Sequence, residues 1–231
     1  MNIGIPAFDY QRGSVYAMNS KVLNADANYT VSLGMISEQD VVEVNTFYDK
    51  VPYNWCIYGD DQAACIVLQK SGMHKQVTVT AMGIDLGADL SDAMHDTHLQ
   101  IKEVDTFSPD FTNTFEASFE IEGSDIEVFK RYILERVGPD NVRCYVAYYD
   151  EVPVSTAMYL RKDTDVALCC VATDTDYRHK GCGSAICHRI LSDAKASGAN
   201  AWLASSDMGY PVYKKLGFVE YGPFEVWGSR K

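Results

Sequence analysis

From Asp165 to Ser205 the sequence runs through DVALCCVAT, the basic loop RHKGCG, the helical stretch GSAICHRILSDAKASG and finally AWLAS. Two short apolar runs of strand length, separated by an amphipathic helix, leave few folds open. A strand that is apolar on both faces sits inside a sheet, and the helix must cover that sheet. The helix presents Ile186, Ile190, Leu191 and Ala194 on one face and stops at Gly198. Its neighbours extend the pattern. DIEVFKRYILERVG places Ile126, Phe129, Ile133, Leu134 and Val137 at helical spacing and ends on Gly138 before Pro139. VRCYVAYYD and PVSTAMYLR, on either side of Asp150 and Glu151, read as antiparallel strands. GYPVYKKLGF is a short helix with Pro211 in its first turn and Gly217 at its exit. GFVEYGPFEVWG is a closing strand or hairpin, broken at Gly222 and Pro223. This order of elements predicts an α/β fold, a mixed sheet with helices packed on it, over residues 105–231.

The first half is less regular. SEQDVVEVNTFYDKV reads as a helix capped by Ser37, with Asp40 in its first turn. NWCIYG, the helical DQAACIVLQKSG and the strand-like KQVTVTAMGIDL follow. IVLQKSGM echoes PVYKKLGF: in each, an apolar helix end passes through Lys and Gly into a strand, and Leu68 stands where Tyr213 stands. The echo suggests that residues 1–100 are a second, worn copy of the same half-fold. GADLSDAMHDTHLQ, Gly87 to Gln100, is polar and lacks periodicity, so the linker is expected there.

Composition excludes some functions. A net charge of −12 speaks against a protein that grips a nucleic-acid backbone, because that binding rests on many cationic side chains displacing counterions. The seven cysteines form no CxxC pair, and several lie in apolar runs, which reads as buried, reduced thiols in a cytoplasmic protein. No apolar run approaches the ~20 residues that span a bilayer, and the N-terminus has no leader pattern, so no membrane partner is expected. His95 and His98 flank Asp96, but one acid and two histidines in a polar stretch fall short of a zinc set, and no metal is expected.

The basic triplet Arg178, His179 and Lys180 abuts Gly181 and Gly183 on an otherwise acidic chain. A P-loop requires GxxxxGK with its lysine after the last glycine, whereas Lys180 precedes Gly181. The dinucleotide fingerprint GxGxxG fails at its third glycine, which is Ile186. What remains is a helix tip. The first amides of the helix that begins near Gly181 have no intrahelical partner, and the helix dipole is positive there, which makes an anion site. Glycines let a pyrophosphate approach the backbone closely. The alternative is a tight turn beside a solvated basic face, and these residues alone leave both open.

YRHKGCGSA, preceded by VALCCVAT and followed later by ASSDMGYPVYKKLGF, resembles the GCN5-related N-acetyltransferases (GNAT). Arg178, Gly181 and Gly183 occupy the fixed places of that family's R/Q-x-x-G-x-G/A signature. The resemblance is clear from Val142 to Val226 and weaker from Asp105 to Asn141. The first half resembles the degenerate N-terminal half of the family's two-lobed members. This implies two lobes, residues 1–100 and 105–231, the second binding acetyl-CoA. It implies pyrophosphate contacts from Arg178, His179, Lys180, Gly181, Cys182, Gly183 and Ser184. Contacts to the pantetheine arm would come from Cys170, Val171 and Ala172 on the family's fourth strand.

The implied reaction is direct transfer of an acetyl group to an amine, on a small molecule or a polypeptide. Tyr213 matches the family's general acid, and amides near Val171 would polarise the carbonyl. A homodimer is left open. No carboxylate lies on the fourth strand; Glu103, Glu116 and Glu120 read as surface charges, and the base stays unassigned. Cys182, in the anion loop, lacks a His-Asp relay and is not expected to act as a nucleophile. The competing reading is a catalytically silent acyl-CoA-binding or partner-recruiting module.

Overall fold

The computed structural model describes residues 8–87, 98–119, 123–195 and 200–229. The described chain forms eleven strands and six α-helices. The first half contains β1 (Tyr10–Arg12), β2 (Val15–Asn19), β3 (Asn28–Ser32), α1 (Glu38–Tyr48), β4 (Asn54–Tyr58), α2 (Gln62–Lys70) and β5 (Met73–Asp85). Then come β6 (Leu99–Val104), α3 (Pro109–Phe119), α4 (Gly123–Val137), β7 (Val142–Tyr149), β8 (Val152–Lys162) and β9 (Asp165–Thr173). The chain ends with α5 (Cys182–Lys195), β10 (Asn200–Ser205), α6 (Tyr210–Lys215) and β11 (Val219–Ser229).

Two compact units emerge, and they divide the chain differently from the expected 1–100 and 105–231. One gathers Met82–Glu220; the other gathers Ala7–Ala81 with Tyr221–Lys231. Most of the expected linker, residues 88–97 with His95 and Asp96, lies outside the described residues. Its last two residues open β6, a strand absent from the sequence reading, and α3 was likewise missed. The expected break at Gly222 and Pro223 does not occur. β11 runs unbroken through both, with Gly222 at φ 126° and the Pro223 carbonyl accepting from the Gly59 amide at 2.9 Å. An acceptor is all that proline can offer a neighbour, so it is tolerated there.

In the larger unit the strands lie in the order β10-β9-β8-β7-β6. β9 and β10 are parallel; β9-β8, β8-β7 and β7-β6 are antiparallel. The β7-β8 turn at Asp150 and Glu151 has φ 47° and 68°, the left-handed pair a tight hairpin requires. Alternate strand residues Tyr145, Ala157, Val166, Leu168 and Leu203 pack with Ile186, Ile190 and Leu191 of α5 and with Tyr213 of α6. The residues between them, Cys144, Val146 and Met158, face the other way, as strand alternation dictates, and α3 lies against β7, β8 and β9. Each layer of this α/β arrangement thus follows from period-2 strands meeting period-3.6 helices.

In the smaller unit the order is β1-β2-β3-β4-β11. β3 and β4 are parallel with α1 between them, and β11 pairs antiparallel with β4 from Phe224↔Tyr58 to Gly228↔Asn54. Val44, Trp55, Leu68 and Trp227 lie in its core.

Candidate active site

The parallel pair β9 and β10 does not stay together. Their register runs Asn200↔Asp165, Ala201↔Val166 and Trp202↔Ala167 and ends there, although β9 continues to Thr173 and β10 to Ser205. The other edge of β9 is disturbed just beyond this point. Met158 faces Cys169 and Thr156 faces Ala172, so Cys170 and Val171 share the place opposite Ala157. This is a bulge; Cys170 adopts φ 52°, and the Thr156 hydroxyl donates to its carbonyl at 3.0 Å. A bulge bends its strand and strengthens the local twist, which carries β9 away from β10. Val171 packs against the cluster that contains Tyr213.

Thr173, at the end of β9, ties the basic loop to the sheet. The Arg178 Nε donates to its carbonyl at 3.2 Å, and the Ser155 and Thr173 hydroxyls are hydrogen-bonded at 2.9 Å. A Cβ on Gly183 would stand 3.3 Å from Thr173 Oγ1, so glycine lets the helix tip sit this close to the strand end. The loop turns through His179 at φ 62° and Gly181 at φ 84°. The Ala185 amide donates to the Gly181 carbonyl at 2.9 Å, the first turn of α5. The amides of Gly183 and Ser184 precede that first bond and have no partner within the helix. The first turn of α5 holds no acidic residue.

Of the three cationic side chains, Arg178 is spent partly as a strap. Lys180 stands over the rings of Tyr177 and Tyr149, 4.5 and 5.6 Å from their centroids. Such contacts contribute about 0.5–1 kcal/mol when exposed and hold the loop's outer face in place. His179 and Lys180 are exposed, and Cys182 is buried to 1% exposure, so its thiol faces the core rather than the loop. Thr173, Ser155, Tyr149 and Tyr177 were not singled out from sequence. A hydroxyl residue, Thr173, ending a strand just before the glycine loop was the available signal.

Tyr213 on α6 retains 8% exposure and packs edge-on against Phe218, ring centroids 5.7 Å apart. Burial first, then the neighbouring Cys187 and Cys169, push its hydroxyl well above an ordinary tyrosine, so it stays protonated at neutral pH. No described residue is hydrogen-bonded to that hydroxyl. Two of the three carboxylates read as surface charges lie among the described residues. Glu103 pairs with Arg143 across β6 and β7. Glu116 is half-buried on α3, and Glu120 lies outside the described residues. His98 pairs with Asp150 at 2.8 Å, and among the described residues no cluster of three metal-ligating side chains occurs.

The acetyltransferase (GNAT) family pattern matches residues 104–218. The chain belongs to the GNAT family. No curated protein matches it. Among solved structures it is similar to a GCN5-related N-acetyltransferase from Kribbella flavida, with TM-score 0.68 and 16% identity, covering 98% of this chain and 90% of that one. A GCN5-related N-acetyltransferase from Sphaerobacter thermophilus gives TM-score 0.65 and 13% identity over 93% of this chain and 75% of that one. A tandem GNAT protein from the clavulanic acid biosynthesis pathway gives TM-score 0.59 and 11% identity over 87% and 74%. At these identities the likeness speaks for the GNAT fold. No helix among the described residues is long and apolar enough to cross a membrane.

Proposed function

We propose that the protein is an acetyl-CoA-dependent N-acetyltransferase that moves an acetyl group directly from the thioester to a primary amine. The observation that carries this reading is the parting of β9 from β10 after Trp202↔Ala167, which leaves the β9 edge from Leu168 to Thr173 without its parallel neighbour. Backbone groups left without a sheet partner seek another, and an extended pantetheine arm with amide groups suits that edge at Cys170, Val171 and Ala172.

The helix tip suits the diphosphate. The loop passes through left-handed residues at His179 and Gly181, the first turn of α5 is free of acid, and Gly183 carries no side chain. A metal is not required by this chemistry. Acetyl-CoA supplies an activated carbonyl and a thiolate leaving group. The chain's share of the work is to hold that carbonyl near the bulge, where the Val171 amide donates to its oxygen as charge develops. Tyr213 gives its hydroxyl proton to the departing sulfur as the amine nitrogen bonds to the carbonyl carbon and the C–S bond breaks. The proton that the nitrogen sheds returns through solvent to the Tyr213 oxygen. Its raised pKa keeps the hydroxyl proton available throughout the range in which amines lose theirs.

The lack of a carboxylate among Leu168, Cys169, Cys170, Val171 and Ala172 favours one rival, an acyl-CoA-binding module without turnover. Thiol release from acetyl-CoA, measured across a panel of small amines and peptides with free amino groups, decides between them. Release that depends on an amine supports the transferase. Tight acetyl-CoA binding with no acetylation of any amine supports the module and overturns the transferase.

A further inference from the structure

We propose that Cys169 and Cys170 form a vicinal dithiol that low-molecular-weight disulfides oxidise to an intrachain disulfide, and that closing it obstructs the groove along β9. The second part rests on the groove reading given above; the first does not.

Adjacent residues of a regular strand point to opposite faces, so neighbouring thiols ordinarily cannot meet. β9 is irregular at this point. Cys170 lies in the bulge opposite Ala157, in the left-handed region at φ 52°. A non-glycine residue is strained there, and such strain tends to gather where a protein does chemistry. The Thr156 hydroxyl holds the strained carbonyl at 3.0 Å. The bulge breaks the alternation that would hold these two consecutive thiols on opposite faces. Both are partly exposed, whereas the other five cysteines are buried. Solvent access and an adjoining thiol therefore coincide at this pair. No third ligand completes a metal set among the described residues, which leaves thiol–disulfide exchange as the chemistry of the pair.

With Cys169 as the first nucleophile the exchange balances, and it balances identically in the reverse order. The Cys169 thiolate attacks one sulfur of a disulfide R–S–S–R, forming protein–S–S–R and expelling one thiolate, which takes up a proton. Cys170 then gives up its proton, attacks the Cys169 sulfur and expels the second thiolate. Two protein thiols and one R–S–S–R become one protein disulfide and two R–SH. Consecutive Cα atoms are about 3.8 Å apart, shorter than the roughly 4.4–6.8 Å usual for disulfides, so the bond is strained and easily reduced. That suits a reversible sensor rather than a structural crosslink.

Trypsin releases Asp163–Arg178, which carries Cys169 and Cys170 and no other cysteine. Reduced protein is incubated with hydroxyethyl disulfide, denatured, quenched with N-ethylmaleimide and digested. The expected peptide is lighter by two hydrogens and carries no maleimide, while the Cys170→Ser variant keeps a hydroxyethylthio adduct on Cys169. Two maleimides, or a stable adduct, on the wild-type peptide overturns the dithiol. Calorimetry then compares acetyl-CoA binding to both forms. Oxidation is expected to weaken it roughly tenfold or more, with recovery in dithiothreitol. Unchanged affinity in the oxidised form overturns the obstruction. Reduced protein that binds no acetyl-CoA refutes the groove and the obstruction with it, while the peptide mass still decides the dithiol by itself.

Discussion

The two units hold the same motif, a parallel strand pair joined through a helix, and treat it in opposite ways. In the smaller unit β3 and β4 stay paired from Tyr29↔Asn54 to Ser32↔Ile57, through the last residue of β3. The Trp55 Nε1 donates to the Ser32 hydroxyl at 3.2 Å and closes that end. In the larger unit β9 and β10 part after Trp202↔Ala167. The helix tips differ as sharply. α1 begins with a capping box: the Asp40 amide donates to the Ser37 hydroxyl and the Ser37 amide to the Asp40 carboxylate at 2.8 Å. Glu38 and Asp40 occupy its first turn, and Arg12 pairs with Asp40 at 3.3 Å. Its Asp40 amide is satisfied from within, and the two carboxylates repel an anion. α5 is entered at Gly181, which has no side chain to cap it, and its first turn holds no acid. Leu68, fully buried, completes the contrast with Tyr213. In one copy of the motif the strands stay paired to their end; in the other they part beside a bare helix tip. The difference lies in a handful of residues at strand ends and helix tips.

The comparison breaks most visibly at Gly183. Gly183→Asp is expected to weaken acetyl-CoA binding by about a hundredfold or more in calorimetry. Because a side chain at position 183 also crowds Thr173 Oγ1, Ser184→Asp serves as the companion. It gives α5 the acidic first turn of α1, which favours the helix while repelling a diphosphate, so the fold should hold and binding should fail. Retained affinity in both variants would remove the helix tip from the site.

Tyr213→Phe sharpens the next contrast. Turnover should fall by about a hundredfold or more, as loss of a general acid does, with acetyl-CoA affinity little changed. Leu68→Ala should instead lower unfolding free energy by about 2–5 kcal/mol, the cost of an emptied core site, with the turnover of folded molecules intact. A stability loss in both, with turnover unchanged in both, would make Tyr213 a packing residue. Ser37→Ala should cost about 1 kcal/mol in urea unfolding and leave cofactor affinity alone.

The smallest expected effect concerns pH. Lys75 first, and then the Cys65 thiol among its other partners, hold the Glu225 carboxyl below its usual range. A folded pKa below the unfolded value stabilises above the unfolded value, about 4.3, and that stability is lost as pH falls through the folded pKa. Lys75 is 45% exposed, so solvent screens the pair and it contributes about 0.5–1 kcal/mol. Lys75→Met should lose that amount at pH 7, and the gap from wild type should vanish in acid.

Much of the larger unit was legible because its signals are local. The periodicity of β7 to β10, the Pro211 and Gly217 ends of α6 and the glycines of the loop each act within a few residues. β6 escaped notice because its exposed residues, Gln100, Glu103 and Lys102 among them, resemble linker. A half-exposed strand is defined by its partner β7, which sequence does not display. The parting of β9 from β10 was unreadable for the same reason, since pairing is a property of two strands. The bulge at Cys170 was hidden because the left-handed position carries a cysteine where glycine would have announced it. Ser37 and Asp40, by contrast, declared the α1 cap outright.

Hydrogen–deuterium exchange with and without acetyl-CoA tests the contrast most directly. The account predicts slowed exchange at the amides of residues 169–173 and 179–184, with residues 33–41 at the α1 tip unchanged. Protection at the α1 tip, or none at either tip under saturating acetyl-CoA, would contradict it.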